Sequence, residues 1–425
     1  MILSSGVCGS AWYTDWKDIQ RQPNEERIMT RRMVWMGLIG AVILSTGGLL
    51  SAADEAGFVP LFDGESLKGW HKAGGGATYR VEEGCIVGEV GPGDNTFLCT
   101  DKVYGDFILK LELKLDVPGN SGIQFRSHKR ERDGRVYGYQ CEIDPSPRAW
   151  SGGVYDEARR GWLYPLTSDE AAQRAFRVDG WNEYVIEAIG PRIRTWVNGV
   201  PCADFLDAMD IEGLIALQVH SGKEGRIRWR NIRIRDLGKH IWTPIWDGET
   251  LDGWHILPGG TWAIEEGAIV GRSPASEPRH GLLVTDREFD DFVVRVEYLA
   301  SRGNSGLYFR AEESGDEVGI HGFQAEIDPE RDAGGLYETA GRAWVVQPSP
   351  EDVQKWYKPG VWNEMVVCAQ GRDVAVFVNG HKSAELKDDP GRTRGKIALQ
   401  LHGGMEMDVR FRRVEVLLPG PRPGA

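Results

Sequence analysis

One string of residues is written twice along this chain. LFDGESLKGWH (Leu61–His71) returns as IWDGETLDGWH (Ile245–His255), and GNSGIQFRS (Gly119–Ser127) returns as GNSGLYFRA (Gly303–Ala311), each 184 positions on. CEIDP returns as AEIDP at the same shift. WNEYVIEAIGPRIRTWVNG returns as WNEMVVCAQGRDVAVFVNG, matching Trp181 with Trp362, and LIALQVHSG returns as KIALQLHGG, matching His220 with His402. Solenoid units run about 20–50 residues, so a period this long means tandem domains. The 425-residue chain can give each domain its own core. The expected spans are 56–239 and 240–420.

Within each copy the hydrophobic period is two. FILKLELKLD sets Phe107, Leu109, Leu111, Leu113 and Leu115 on one face and Lys110, Glu112 and Lys114 on the other. FVVRVEYLA (Phe292–Ala300) is the weaker counterpart, and VNG turns separate short strands as hairpins require. Only SDEAAQRAF and SPEDVQKW have helical character. Many alternating strands in one domain length predict an all-β protein: two antiparallel jelly-roll sandwiches in tandem.

Alternation also sorts each strand into a core face and a second face. In GIQFR the second face takes Gln124 and Arg126; in YQCEID it takes Gln140, Glu142 and Asp144; in LQVH it takes Gln218 and His220. The second copy repeats the split with Tyr308 and Arg310, then Gln324, Glu326 and Asp328, then Gln400 and His402. A cation, carboxylates and an imidazole on adjacent strands form an acid–base set that works near neutral pH. The competing reading is an ordinary solvated face with an Arg–Glu pair. Asn120 and Asn304 open the repeated GNSG loop, whose second glycine suits close approach of a ligand. SGGVYDEARRGW and AGGLYETAGRAW form a second repeated loop, carrying Tyr155 and Arg160 in one copy and Tyr337 and Arg342 in the other.

The remaining features exclude more than they assign. A net charge of −13 argues against nucleic acid. Residues 1–28 read as an over-extended start. Residues 29–53 read as a secretory signal: Arg31 and Arg32, an apolar run, then a small-residue cleavage site near Ala52 or Ala53. Secreted or periplasmic localisation is expected, with no membrane span left after cleavage. The five cysteines beyond the leader make no disulfide framework, although Cys85 and Cys99 could pair locally. No CxxC or Cys/His cluster marks a metal site, and no cofactor is evident. Among 16 tryptophans and 55 glycines there is ample material for turns and sugar stacking.

Taken in order, PLFDGESLKGWHK, GDFILKLELKL, GNSGIQFR, YQCEID, WNEYVIEAIGPRIRTWVNG and GLIALQVHSG resemble the 3-keto-disaccharide hydrolase domain family. The resemblance covers about Phe58 to Leu237 and Trp242 to Leu417. It implies a concanavalin A-like jelly roll and action on an oligosaccharide or glycoside already oxidised at C3. A 3-ketone acidifies the C2 proton, so a base can remove it and expel the C1 substituent, after which water adds. Such a site needs a base, an enolate stabiliser and a proton donor. The resemblance implies Glu142 and His220 as the acid–base pair and Arg126 as the oxyanion stabiliser, with Glu326, His402 and Arg310 repeating those roles. Which of Glu and His is the base stays open, and a divalent cation could replace the arginine. Gln124, Gln140, Gln218 and Asn120, with Asp144, Tyr155 and Arg160, are the candidate substrate contacts of the first copy. Those of the second are Asn304, Gln324, Gln400, Asp328, Tyr337 and Arg342.

Two alternatives come from other classes. A family 16 glycanase carries E-x-D-x-E or E-x-D-x-x-E; the second copy fits the shorter form with Glu326, Asp328 and Glu330, while the first lacks the second glutamate. A non-catalytic pair of sugar-binding domains would exploit duplication for avidity.

Overall fold

In the computed structural model, residues 55–420 are described; the expected leader, and the residues before it, lie outside them. The alternating segments become strands, and each copy folds as two facing antiparallel sheets. In the first copy the strand Asp106–Val117 sits between Asn182–Ile189 and Arg226–Gly238 in an eight-stranded sheet. A seven-stranded sheet faces it, with Val136–Ile143, Ser121–Lys129 and Leu214–Val219 adjacent at its centre. Residues 240–419 repeat both sheets. The two short helices fall where expected, at Glu170–Gln173 and Pro350–Trp356, each with its N-cap side chain accepting a backbone N–H.

Period-two patterning accounts for the core. Leu109, Leu111 and Leu113 from one sheet meet Ile123, Phe125, Tyr139 and Cys141 from the other, all essentially buried. Burial of such side chains contributes about 1.5–3 kcal/mol each. The five described cysteines are free and buried, so Cys85 and Cys99 are not bonded to each other. Burial pushes the Cys99 thiol up to about 12, which leaves it an inert core group.

The two sandwiches form one compact unit. What joins them is a sequence difference between the copies. On the outer face of the first eight-stranded sheet, Ile108 pairs with Glu187 and Arg235, and Glu187 with Arg194. At the same register positions the second copy has Val293 paired with Cys368 and Leu417, and Cys368 with Ala375. That apolar face is buried in one cluster with Leu206 and Ala208 of the first sandwich. Arg192 and Asp373 add an ion pair across the junction at 2.9 Å.

Candidate active site

The outer face of each seven-stranded sheet carries the polar residues that alternation assigns to it. Glu142 and Gln218 both lie opposite Gly122, and Gln140 lies opposite Gln124. The Gln140 side chain rests on Gly122, where an added Cβ would stand 2.3 Å from Gln140 Cδ. Gly306 gives Gln324 the same room, at 2.5 Å. The repeated glycine therefore admits the site's own glutamine, which is then held against the neighbouring glutamate.

In the first copy these groups are bonded to one another. Asn120 Nδ2 donates to Glu142 Oε1 at 2.7 Å, and Gln140 Nε2 to Glu142 Oε2 at 2.8 Å. Gln124 and Gln218 both donate to Gln140 Oε1, at 2.6 and 2.9 Å. Over this network lies Arg148, bonded to Glu142 at 3.1 Å and Asp144 at 2.7 Å. Its guanidinium sits 5.0 and 4.9 Å from the rings of Trp150 and Trp162, and Tyr155 packs edge-on to Trp162. Arg148 thus occupies the carboxylates and aromatic faces a sugar would use. Burial raises the Glu142 carboxyl above its ordinary value, while Asn120, Gln140 and Arg148 work against the rise. His220 Nδ1 meets Ser221 O at 2.7 Å; the ring lines a 390 Å³ cavity with Asn95, Arg130 and Asp133, and a smaller one with Asn120.

The second copy is open at the same place. Both loops after the glutamate close with the same 2.9 Å bond, Gly152 N–H to Glu142 O and Gly334 N–H to Glu326 O, but the second is two residues shorter. Its arginine, Arg331, is turned to solvent. A cavity of about 760 Å³ results, with Glu326, Asn304, Gln324, Gln400, His402 and Asp328 in its wall. Tyr337 and Trp344, packed edge-on at 5.4 Å, supply aromatic surface. Asn304 Nδ2 donates to Glu326 Oε1, and Gln324 Nε2 to Glu326 Oε2 at 2.7 Å. Burial pushes the Glu326 carboxyl up to about 8; Asp328 and Asp332 add to the rise, and the two amides oppose it. His402 Nδ1 lies 2.7 Å from Gly403 O, so this nitrogen donates, and in the neutral ring Nε2 is the acceptor.

Four arginines do not stand where the sequence reading puts them, two by strand alternation and two by the repeated loop. Arg126 has φ 44° at a bulge where register shifts between Gln124 and His128, so parity is broken and its side chain turns inward. It is 0% exposed, donating to Gly105 O and Gly190 O at 2.7 Å each and pairing with Asp106 at 2.9 Å. Asp106 in turn holds His240, at the start of the second sandwich, at 2.7 Å. Arg310, φ 48°, is likewise buried and donates to the carbonyls of Asp290 and Arg392. Neither meets a ligand on the outer face, which corrects the oxyanion role expected of both. Arg160 is held by Asp156 and Asp207, and Arg342 by Glu338 and Asp389. Those four carboxylates hold the two guanidinium groups in ion pairs, and neither arginine lines the open cavity.

His280 and Arg148 were missed, and Tyr308, which alternation places on this face, was given no role. Comparing the copies for identity hides them, because His280 replaces Asn95, Tyr308 replaces Gln124, and Arg148 lies in the loop whose length differs. His280 packs edge-on against His402 with ring centroids 4.5 Å apart. Among the described residues no group of three His, Cys, Asp or Glu is arranged to hold a metal ion.

Each sandwich thus presents carboxyl, amide and aromatic groups on the outer face of its seven-stranded sheet. The chain belongs to the family of the 3-keto-alpha-glucoside-1,2-lyase-like domain, which matches residues 57–235 and again 241–417. Among solved structures it is similar to a protein from Parabacteroides distasonis assigned as a glycosyl hydrolase, at 20% identity over 45% of this chain and 99% of that one, TM-score 0.34. It is also similar to a carbohydrate-binding module from Bacillus subtilis, at 17% identity over 39% and 96%, TM-score 0.32. A family 16 endo-beta-1,3(4)-glucanase follows at 13% over 42% and 91%, TM-score 0.30. No match was found among curated proteins.

Proposed function

We propose that the second sandwich cleaves 3-keto-glycosides by removal of the C2 proton and loss of the C1 substituent. The observation that carries this is a raised, buried carboxyl in the wall of an open cavity that the His402 imidazole also lines. His402 Nε2 takes the C2 proton. The electron pair passes to the 3-keto oxygen as an enolate and then returns to form the C1–C2 double bond as the C1–O bond breaks, while Glu326, still protonated near neutral pH, gives its proton to the departing oxygen. Water then adds at C1. Asn304, Gln324 and Gln400 bind hydroxyls, and Tyr337 and Trp344 offer faces to the sugar ring. With Arg310 buried elsewhere, Arg331 is the cation lining the cavity and takes the enolate oxygen.

Mature protein incubated with a 3-keto-disaccharide should release free sugar, and with the parent disaccharide should release none. Release from both would favour the family 16 reading, since Glu330 also lines the cavity; release from neither, with sugar binding retained, would leave a binding protein. Export through residues 29–53 belongs to the same reading and predicts a mature N-terminus just after Ala52 or Ala53 by intact mass; a mature chain retaining Met1 would remove it.

A further inference from the structure

His280 reaches the second site from a loop 120 residues before Gln400, and what it does there is visible in the amides. In the first copy Gln218 donates to Gln140, and Gln218 Oε1 is buried without a partner. Asn95, at the position of His280, is spent on Ser221 N–H at 2.9 Å. In the second copy the exchange is reversed: Gln324 Nε2 donates to Gln400 Oε1 at 3.2 Å. Gln400 Nε2 turns to His280 Nδ1 and to the Tyr308 hydroxyl, both at 3.4 Å. Gly403 N–H also donates to His280 Nδ1 at 3.4 Å. Two donors converging on one ring nitrogen require it to be unprotonated, with the ring hydrogen on Nε2.

Reversal has a consequence for the cavity. Gln140 Oε1 in the first copy is consumed by two amides. With Gln400 turned over and Tyr308 in place of Gln124, both hydrogens of Gln324 Nε2 are used, on Glu326 and Gln400. Its carbonyl oxygen accepts from no donor among the described residues, and Gln324 lines the cavity.

We propose that His280 is a positioning residue: by accepting from Gln400 it sets the polarity of the Gln400–Gln324–Glu326 chain, so that Gln324 Oε1 faces the cavity as the acceptor for a sugar hydroxyl. The proposal rests on the cleavage reading above for its substrate but not for its geometry. Burial, with His402 beside it, holds the His280 imidazole below its ordinary value, in keeping with a neutral acceptor.

The test uses the full chain in two arms. Long-range 1H–15N spectra, with His280 assigned from the H280Q spectrum, should show at neutral pH an uncharged ring protonated on Nε2. A proton on Nδ1 overturns the proposal whatever the substrate is. In the second arm, His280→Ala should lower kcat/KM for a 3-keto-glycoside about tenfold, the worth of one good hydrogen bond. His280→Gln, whose longer side chain can bring Oε1 to Gln400 Nε2 where the Asn of the first copy is spent on Ser221 N–H, should stay within about threefold. Equal losses in the two variants, or no loss in either, overturn the proposal. A wild-type chain that turns over no 3-keto-glycoside defeats the cleavage reading instead, and the tautomer then decides this one.

Discussion

The two sandwiches carry the same glutamate on the same strand against the same glycine, yet one glutamate is covered and the other is not. Glu142 is bonded to Arg148, which is itself held over Trp150 and Trp162. Glu326 faces a cavity of about 760 Å³ and, among the described residues, has two amides and no cation on its oxygens. Two residues of loop length and one arginine account for the difference. A duplicated domain can therefore keep its fold and the frame of its site while one copy fills that site with its own side chain. The outer sheets diverge in parallel: the second copy has apolar side chains where the first covers it, and the first has charges at the same register positions.

The sharpest way to break this comparison is to remove each glutamate in turn. Glu326→Gln should lower turnover of a 3-keto-glycoside by about 10²–10⁴-fold, while Glu142→Gln should leave it within about twofold. Equal losses measured by sugar release would mean that the first site opens in solution.

Stability should separate the two repeated arginines next. Arg126→Leu leaves Asp106 buried without its cation, a change that costs about 3–5 kcal/mol. Arg310 has only a 3.6 Å approach to an exposed Asp291, so Arg310→Leu should cost about 1–2 kcal/mol, chiefly in lost carbonyl bonds. Urea melts of the full chain measure both, and a reversed order would show that Arg126 is not the anchor described.

Glu326 should also leave a trace in the pH dependence of stability. Its folded value, about 8, lies above the unfolded 4.5, so between those values the unfolded chain has released a proton that the folded chain retains. Stability contributed by this group is thus present below about pH 4.5 and lost as pH rises toward 8, by an amount on the order of a few kcal/mol. Glu326→Gln should flatten that limb of the Tm–pH curve; an unchanged limb would assign it to another group.

The smallest expected effect concerns Arg148. Arg148→Ala should uncover the first site, so that calorimetric titration with methyl α-glucoside gains a second, weak site, with Kd on the order of 1–10 mM. Unchanged stoichiometry would mean that Trp150 and Trp162 close the site without the arginine.

Strand alternation, tandem duplication and the outward placement of Glu142, Glu326 and their glutamines follow from the sequence by itself, because side-chain parity along a strand is a local property of the backbone. Each of the remaining decisions was tertiary. A bulge at Arg126 and Arg310 reversed the parity that the same rule had assigned them, and no residue in GIQFRS or GLYFRA announces it. Whether an arginine covers a glutamate depends on where a loop lets a long side chain fall, and that separates Arg148 from Arg331. His280 enters the site from a distant loop that pairs with no identical residue in the first copy, and only the closing of the sheet brings its ring within 4.5 Å of His402.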